Sequence, residues 1–339
     1  MRLAIIYKNF GAVSGLSHIG LGVSAINICK SLRQQGLRAE VWGCVSLQDI
    51  QKKISQTYAQ NDPVTHVSIC ALWLKSAELR ALVDTYPETQ FVVNCHSNVG
   101  FLQAEPQAIG LIREAIQIEQ TSHNFRMAGN SQKFCNWVKH AYGAPCLWLP
   151  NLYYLTSTTP INKPVWSGGT LKIGCFGAMR VYKNFSTAVA AATQIARHLK
   201  AVTEVWVNSG RDDGLGSSAQ SAIVQLTKNL PNVTLKQWPW SSWPEFKELI
   251  ATMNLLLQPS YTESFNIVTA DGIALGVPSV VSSAIEWAPA DWIVNNDDAS
   301  AIEKRGIFLI RDTDAGTEGM TALVAYNAIG LTQWKSFLL

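Results

Sequence analysis

Short apolar or β-branched runs alternate with segments of helical periodicity along almost the whole chain, a pattern that restricts the fold to βα units around parallel sheets. In the first half the runs fall near residues 2–7, 38–43, 65–71, 90–95, 125–129 and 145–149, with helical segments near 21–35, 75–86, 107–118 and 131–141. A second series has strands near 171–176, 202–208, 233–236, 254–258 and 278–281, and helices near 184–198, 217–229, 243–251 and 265–275. Between the two series, Thr156 to Thr170 has two prolines, two glycines and no periodicity, and reads as a linker. The expected class is α/β, with one parallel-sheet domain over 1–155 and a second over 171–319. Two such halves joined by a linker imply a cleft between domains.

A chain of 339 residues with 47% hydrophobic content can build two cores of ordinary size. No run approaches the roughly 18 apolar residues of a membrane span, and Met1 to Tyr7 is too short for a signal peptide's apolar region. The seven cysteines (29, 44, 70, 95, 135, 146 and 175) are scattered and odd in number. No C-x-x-C pair occurs among them, which argues against a disulfide framework and against a zinc site, and a reducing cytoplasm is the expected setting. A net charge of +3 tolerates an anionic substrate but falls well short of a nucleic-acid footprint. Oligomeric state is not readable from these features.

The segment most informative about chemistry is Pro259-Ser260-Tyr261-Thr262-Glu263-Ser264-Phe265-Asn266, running on to Asp271 and Gly276-Val277-Pro278. It follows the apolar strand Leu255 to Leu257 and opens a helical segment, so it lies at a strand's carboxyl end, where open α/β sheets bind ligands. A helix amino terminus there offers unpaired N–H groups to an anion such as a diphosphate, and a carboxylate just before it accepts hydrogen bonds from hydroxyls. Phosphate together with hydroxyls points to a nucleotide sugar. The alternative is a plain helix cap with a dipole-favoured acid.

This segment resembles the donor-binding signature of retaining GT-B glycosyltransferases, in which Pro-Ser precedes a Glu-x7-Glu pattern. Here the pattern reads Glu263-x7-Asp271. The resemblance implies that Glu263 binds the donor sugar's hydroxyls, that Asp271 holds the ribose diol, and that the backbone of Ser264, Phe265 and Asn266 meets the diphosphate. Eight residues at helical rise span roughly 12 Å, the reach of a nucleotide sugar. Asp271 departs from the pattern by one methylene. The resemblance also implies two Rossmann-like domains facing across a cleft, and a carboxyl-terminal segment, 320–339, that returns to the first domain.

The second domain opens with Lys172-Ile173-Gly174-Cys175-Phe176-Gly177-Ala178-Met179-Arg180-Val181-Tyr182-Lys183-Asn184: a strand, a glycine turn, two cations and a helix start. The leaving group of sugar transfer is a nucleoside diphosphate, so cations fixed beside it stabilise charge that grows in the transition state. Lys183-Asn184 stands where the family has its lysine. The family's arginine position holds Ala178, and Arg180 is read as a displaced substitute; the bland alternative is a solvated pair.

In the first domain His96 follows the strand Phe91-Val92-Val93 and resembles the family histidine close to the reacting sugar, with a structural histidine as the alternative. Gly15, in the loop between Lys8 and Gly22, resembles the family's glycine-bearing first loop and is assigned to the donor, although a flexible connection fits equally well. His18 in that loop either meets an acceptor or is an ordinary polar residue. Trp238, Trp240 and Trp243 are expected to pack the second domain, Trp287 lies near the donor with no direction to aim it, and Trp334 anchors a final helix.

The resulting expectation is transfer of a sugar from a nucleoside diphosphate sugar, a UDP-sugar foremost, to a hydroxyl acceptor, with retention and without metal or other cofactor. Glycans, small molecules and a hydroxymethylated base of viral DNA are the acceptor candidates. An inverting enzyme using His18 or His96 as base is one alternative. A catalytically silent nucleotide-sugar-binding protein, which fits the departures at Ala178 and Asp271, is the other.

Overall fold

The computed structural model of the chain describes residues 1–9, 19–211 and 215–339. They divide into two compact units, one of Met1–Tyr154 with Asn327–Leu339 and one of Leu155–Tyr326.

The first unit holds a sheet of β1 (Arg2–Lys8), β2 (Arg38–Cys44), β3 (His66–Cys70), β4 (Gln90–Cys95), β5 (Phe125–Gly129) and β6 (Leu147–Trp148). The order is β2-β1-β3-β4-β5-β6 and every pairing is parallel. Alternation along each strand divides the apolar residues between two faces. Ala4, Ile6, Val67, Ile69, Phe91 and Val93 enter one core, whereas Leu3, Ile5 and Val92 enter the other. The second of these cores is closed by Trp334 and Leu338 of the last helix, and the Trp334 indole donates to the Pro150 carbonyl at 2.8 Å.

One helix of this unit, Leu47–Ala59, has no counterpart in the sequence expectation. Its buried stripe is only Ile50, Ile54 and Thr57, too thin to stand out among its Gln and Lys residues. Ser46 caps it, accepting from Asp49 N at 3.3 Å, and the Asp49 carboxylate returns the contact to Val45 N at 3.0 Å.

The second unit holds β7 (Leu171–Cys175), β8 (Thr203–Ser209), β9 (Val233–Pro239), β10 (Leu255–Gln258), β11 (Ser279–Ser282) and β12 (Ile293–Val294). They run parallel in the order β12-β11-β10-β7-β8-β9. From β7 the chain builds outward through β8 and β9, then returns to the other side of β7 with β10. The strand order therefore reverses between β7 and β10, and the crevice outside the carboxyl ends of such a pair is where open α/β sheets take ligands. The strand β12 and the helix Ala299–Arg311 add to the elements expected from sequence.

The last helix, Ala315–Leu338, belongs to the second unit up to Tyr326 and to the first from Asn327 onward. Among the described residues no helix is long and apolar enough to cross a membrane.

Candidate active site

The loops that leave β7 and β10 meet at one carboxylate. After β7 the chain turns through Gly177, whose φ of +136° disfavours any side chain, and whose N–H donates to Asn208 Oδ1 at 2.9 Å. It then forms a single 3-10 turn over Val181–Lys183 and passes through Asn184 in the left-handed region, φ 56°, into the helix Phe185–Leu199. After β10 it runs through Pro259 to Asn266 without regular structure. Tyr261 N donates to the Tyr182 carbonyl at 2.8 Å and joins the two loops by backbone.

At the junction Glu263 Oε1 accepts from Lys183 Nζ at 2.5 Å, from Ser260 Oγ at 2.8 Å and from Asn266 Nδ2 at 2.9 Å. Asn266 Nδ2 also donates to Gln258 Oε1 at 3.0 Å. The side chains of Lys183 and Glu263 are 18% and 11% exposed, so each charge is kept mostly out of water and needs the other. The three donors fix one carboxylate oxygen in place.

The helix after this loop begins at Ile267, two residues later than the sequence expectation. Asn266 is the reason: it sits at φ 68°, and its Oδ1 caps Thr269 N at 2.9 Å. The loop is held from outside by side chains that donate to its carbonyls. Asn184 Nδ2 reaches Pro259 O at 3.2 Å, Ser282 Oγ reaches Ser260 O at 2.5 Å, and Trp287 Nε1 reaches Phe265 O at 2.6 Å.

The structure thus brings Lys183, Glu263 and Asn266 together. Ser264 follows Glu263 directly and is half-buried, while Phe265 is 2% exposed, its ring packed inward. Arg180 heads the 3-10 turn, half-buried, and its carbonyl accepts from Lys183 N. The position the resemblance gives to an arginine holds a buried Ala178. Asp271 is fully buried, and both of its carboxylate oxygens accept from the Trp243 indole, at 3.0 and 3.2 Å. Sequence reading singled out neither the Ser260 hydroxyl nor the Asn184, Ser282 and Trp287 donors as parts of this site. Pro259-Ser260 and Asn184 carried a signal as motif neighbours, and Trp287 was placed near the donor without a direction; Ser282 carried none.

In the first unit His96 follows β4, and its Nδ1 lies 3.3 Å from Asn130 Nδ2, just after β5. With the amide donating, the neutral ring carries its proton on Nε2. That atom is buried with no partner among the described residues. Burial pushes the His96 pKa down to about 4, so the ring is neutral at physiological pH. Gly15 and His18 lie outside the described residues. Trp240 stacks under Arg211, whose guanidinium carbon is 5.0 Å from the ring centroid. All seven cysteines are free thiols, and burial pushes Cys70, Cys95 and Cys175 up to about 12.

A fixed ammonium, a carboxylate with hydroxyl-accepting chemistry and a helix amino terminus at a strand-order reversal are chemically suited to an anionic, hydroxyl-bearing ligand. Residues 170–324, which include all of these groups, match the family described as Glycosyl transferases group 1. Comparison with curated proteins found no match. Among solved structures, sucrose-phosphate synthase from Thermosynechococcus elongatus is similar at 15% identity and a TM-score of 0.64, over 99% of this chain and 98% of that one. An α,α-trehalose-phosphate synthase (UDP-forming) from Burkholderia xenovorans, in complex with glucose-6-phosphate, aligns at 11% identity and a TM-score of 0.66, over 99% of each chain. A variant of TarM from S. aureus, in complex with fondaparinux, alpha-GlcNAc-glycerol and UDP, aligns at 11% identity and a TM-score of 0.59. That match takes in 80% of this chain, which spans 55% of the TarM chain. At these identities the likeness is one of fold, and the fold is that of GT-B glycosyltransferases.

Proposed function

We propose that the chain transfers a sugar from a nucleoside diphosphate sugar to a hydroxyl acceptor, with retention of anomeric configuration. The observation that carries this reading is the convergence of Lys183, Ser260 and Asn266 on Glu263 at the reversal of the second sheet. Lys183 and Arg180 neutralise the diphosphate as charge grows on the leaving group, and the amino end of the helix Ile267–Ala274 adds its dipole. Glu263 accepts from hydroxyls of the donor sugar and orients it, while the backbone of Ser264, Phe265 and Asn266 lies along the diphosphate. The ribose end falls near Asp271 and Trp243. In this reading the donor phosphate takes the proton of the incoming hydroxyl on the face from which the leaving group departs, and the neutral His96 donates from Nε2 to a sugar hydroxyl.

UDP is the favoured nucleotide, supported by the UDP in the TarM complex and by the UDP-forming description of the Burkholderia synthase. The positive charge comes from protein groups in this scheme, with no metal or other cofactor. The first unit is assigned to the acceptor and the second to the donor. A saccharide or cell-surface precursor and a hydroxymethylated base of viral DNA are the acceptor classes carried forward. Thermal melts with UDP, GDP and ADP test the donor assignment. A nucleotide at a hundredfold excess over its dissociation constant adds about 2.7 kcal/mol of stability, and UDP is expected to give the largest shift. No shift with any of the three would remove the reading.

A further inference from the structure

Eight residues, 259 to 266, connect β10 to its helix without regular structure, and Glu263 stands within them. Such a segment has its own conformational entropy to overcome before it can present one carboxylate oxygen in a fixed place. The holding contacts near its start come from the helix cap after β7 and the end of β11: Asn184 and Ser282 on the carbonyls of Pro259 and Ser260. The end of the segment is held differently. Phe265 lies between Ser264 and the left-handed Asn266, and its ring packs in a cluster of three. Its centroid is 5.1 Å from that of Trp287 with planes at 23°, and 5.5 Å from that of Tyr326 with planes at 28°. Trp287 and Tyr326 are themselves 5.7 Å apart. The Trp287 indole then donates to the Phe265 carbonyl at 2.6 Å. One side chain, from the loop after β11, thereby fixes both the ring and the backbone of residue 265.

We infer that Trp287 is a positioning residue for the donor carboxylate: by stacking on Phe265 and binding its carbonyl, with Tyr326 closing the cluster, it sets the turn at Asn266 and through it the place of Glu263. This inference rests on the nucleotide-sugar reading for its catalytic consequence, but its structural content stands apart from it. The chain of contacts is short. Phe265 is bonded to Asn266, and Asn266 Nδ2 is one of the three donors to Glu263 Oε1. Phe265 is 2% exposed, so its ring has no solvent-facing alternative that keeps the packing. Burial holds the Tyr326 phenol well above its ordinary pKa, so the cluster stays uncharged through the neutral range.

The test compares Trp287→Leu and Trp287→Phe with the wild type. The leucine removes ring and indole N–H, while the phenylalanine keeps a ring for Phe265 to stack on and loses only the hydrogen bond. Hydrogen exchange followed by peptide mass analysis is the first readout, because it needs no ligand and no turnover. In Trp287→Leu, amides over 261–270 are expected to exchange at least tenfold faster while those of β7 and β8 keep their protection; Trp287→Phe should fall between that variant and the wild type. Steady-state kinetics on UDP-sugars is the second readout. A displaced carboxylate lowers kcat by about 10² with KM changed less than threefold, since an ångström of misplacement costs rate more than binding, and the phenylalanine variant recovers part of kcat. Unchanged exchange over 261–270 in a folded Trp287→Leu would overturn the inference, as would a uniform loss of protection over the whole second unit. Absence of turnover in the wild type would instead overturn the glycosyltransferase reading, and the exchange result would still decide whether Trp287 holds the loop.

Discussion

Lys183 and Glu263 are 80 positions apart in the chain and 2.5 Å apart in space. The carbon stem of Lys183 runs against Gly177, where an added Cβ would stand 3.2 Å from Lys183 Cε on a backbone at φ +136°. Gly177→Ala therefore strains the turn and pushes the lysine away from Glu263. The expected outcome is a tenfold loss of UDP affinity, about 1.4 kcal/mol, read by calorimetric titration; wild-type affinity would show that the turn does not place the lysine. Lys183 and Glu263 were legible as candidates because cations after a glycine turn and an acid before a helix are chemical signals local in sequence. The donors that complete the site were not, because Ser282 and Trp287 act on carbonyls that only the folded sheet brings within reach. Asp271 shows the same limit from the other side. Its spacing from Glu263 is visible in the sequence, but its burial against Trp243 depends on how the helices Ile267–Ala274 and Trp243–Ala251 pack.

Among the elements, strands were the legible part, since parallel strands covered on both faces are unbroken apolar runs such as Leu255 to Leu257 and Phe91 to Val93. Besides the single-turn helix Val99–Leu102, two longer helices escaped. Leu47–Ala59 buries too few apolar residues for its period to stand out, and Ala299–Arg311 carries Gly306 in its middle, a residue that costs about 1 kcal/mol against alanine there. The reason for that glycine is tertiary. A Cβ on Gly306 would stand 2.7 Å from Ile195 Cδ1 and 3.0 Å from Leu255 Cδ2, so it permits the helix to lie close on Phe185–Leu199 and β10. The first helix owes more to its cap than to its stripe. Ser46→Ala is expected to cost about 1 kcal/mol in urea unfolding, and an unchanged midpoint would mean that the reciprocal Asp49 contact suffices alone.

At the scale of the whole molecule, the buried imidazoles give stability a pH dependence of definite sign. His96 is pushed from 6.5 to about 4 by burial, and His66 is shifted the same way by burial first. Unfolding frees His96 to take up a proton between pH 6.5 and 4. Its contribution to stability is accordingly present above 6.5 and is lost as pH falls through that window. Melting temperatures of the wild type and of His96→Gln, measured from pH 7 to 4, are expected to converge or cross as the wild type loses more; parallel curves would place the imidazole in contact with water. The reading of the second unit as the donor-binding half stands or falls on turnover. Release of UDP from a panel of UDP-sugars with saccharide and modified-DNA acceptors should be measured for the wild type and for Glu263→Gln, with the fold of both checked by circular dichroism. The wild type is expected to release UDP with transfer to a hydroxyl, and Glu263→Gln to do so at least about 10²-fold more slowly. A folded Glu263→Gln protein working at the wild-type rate would contradict the assignment of this carboxylate to the donor sugar.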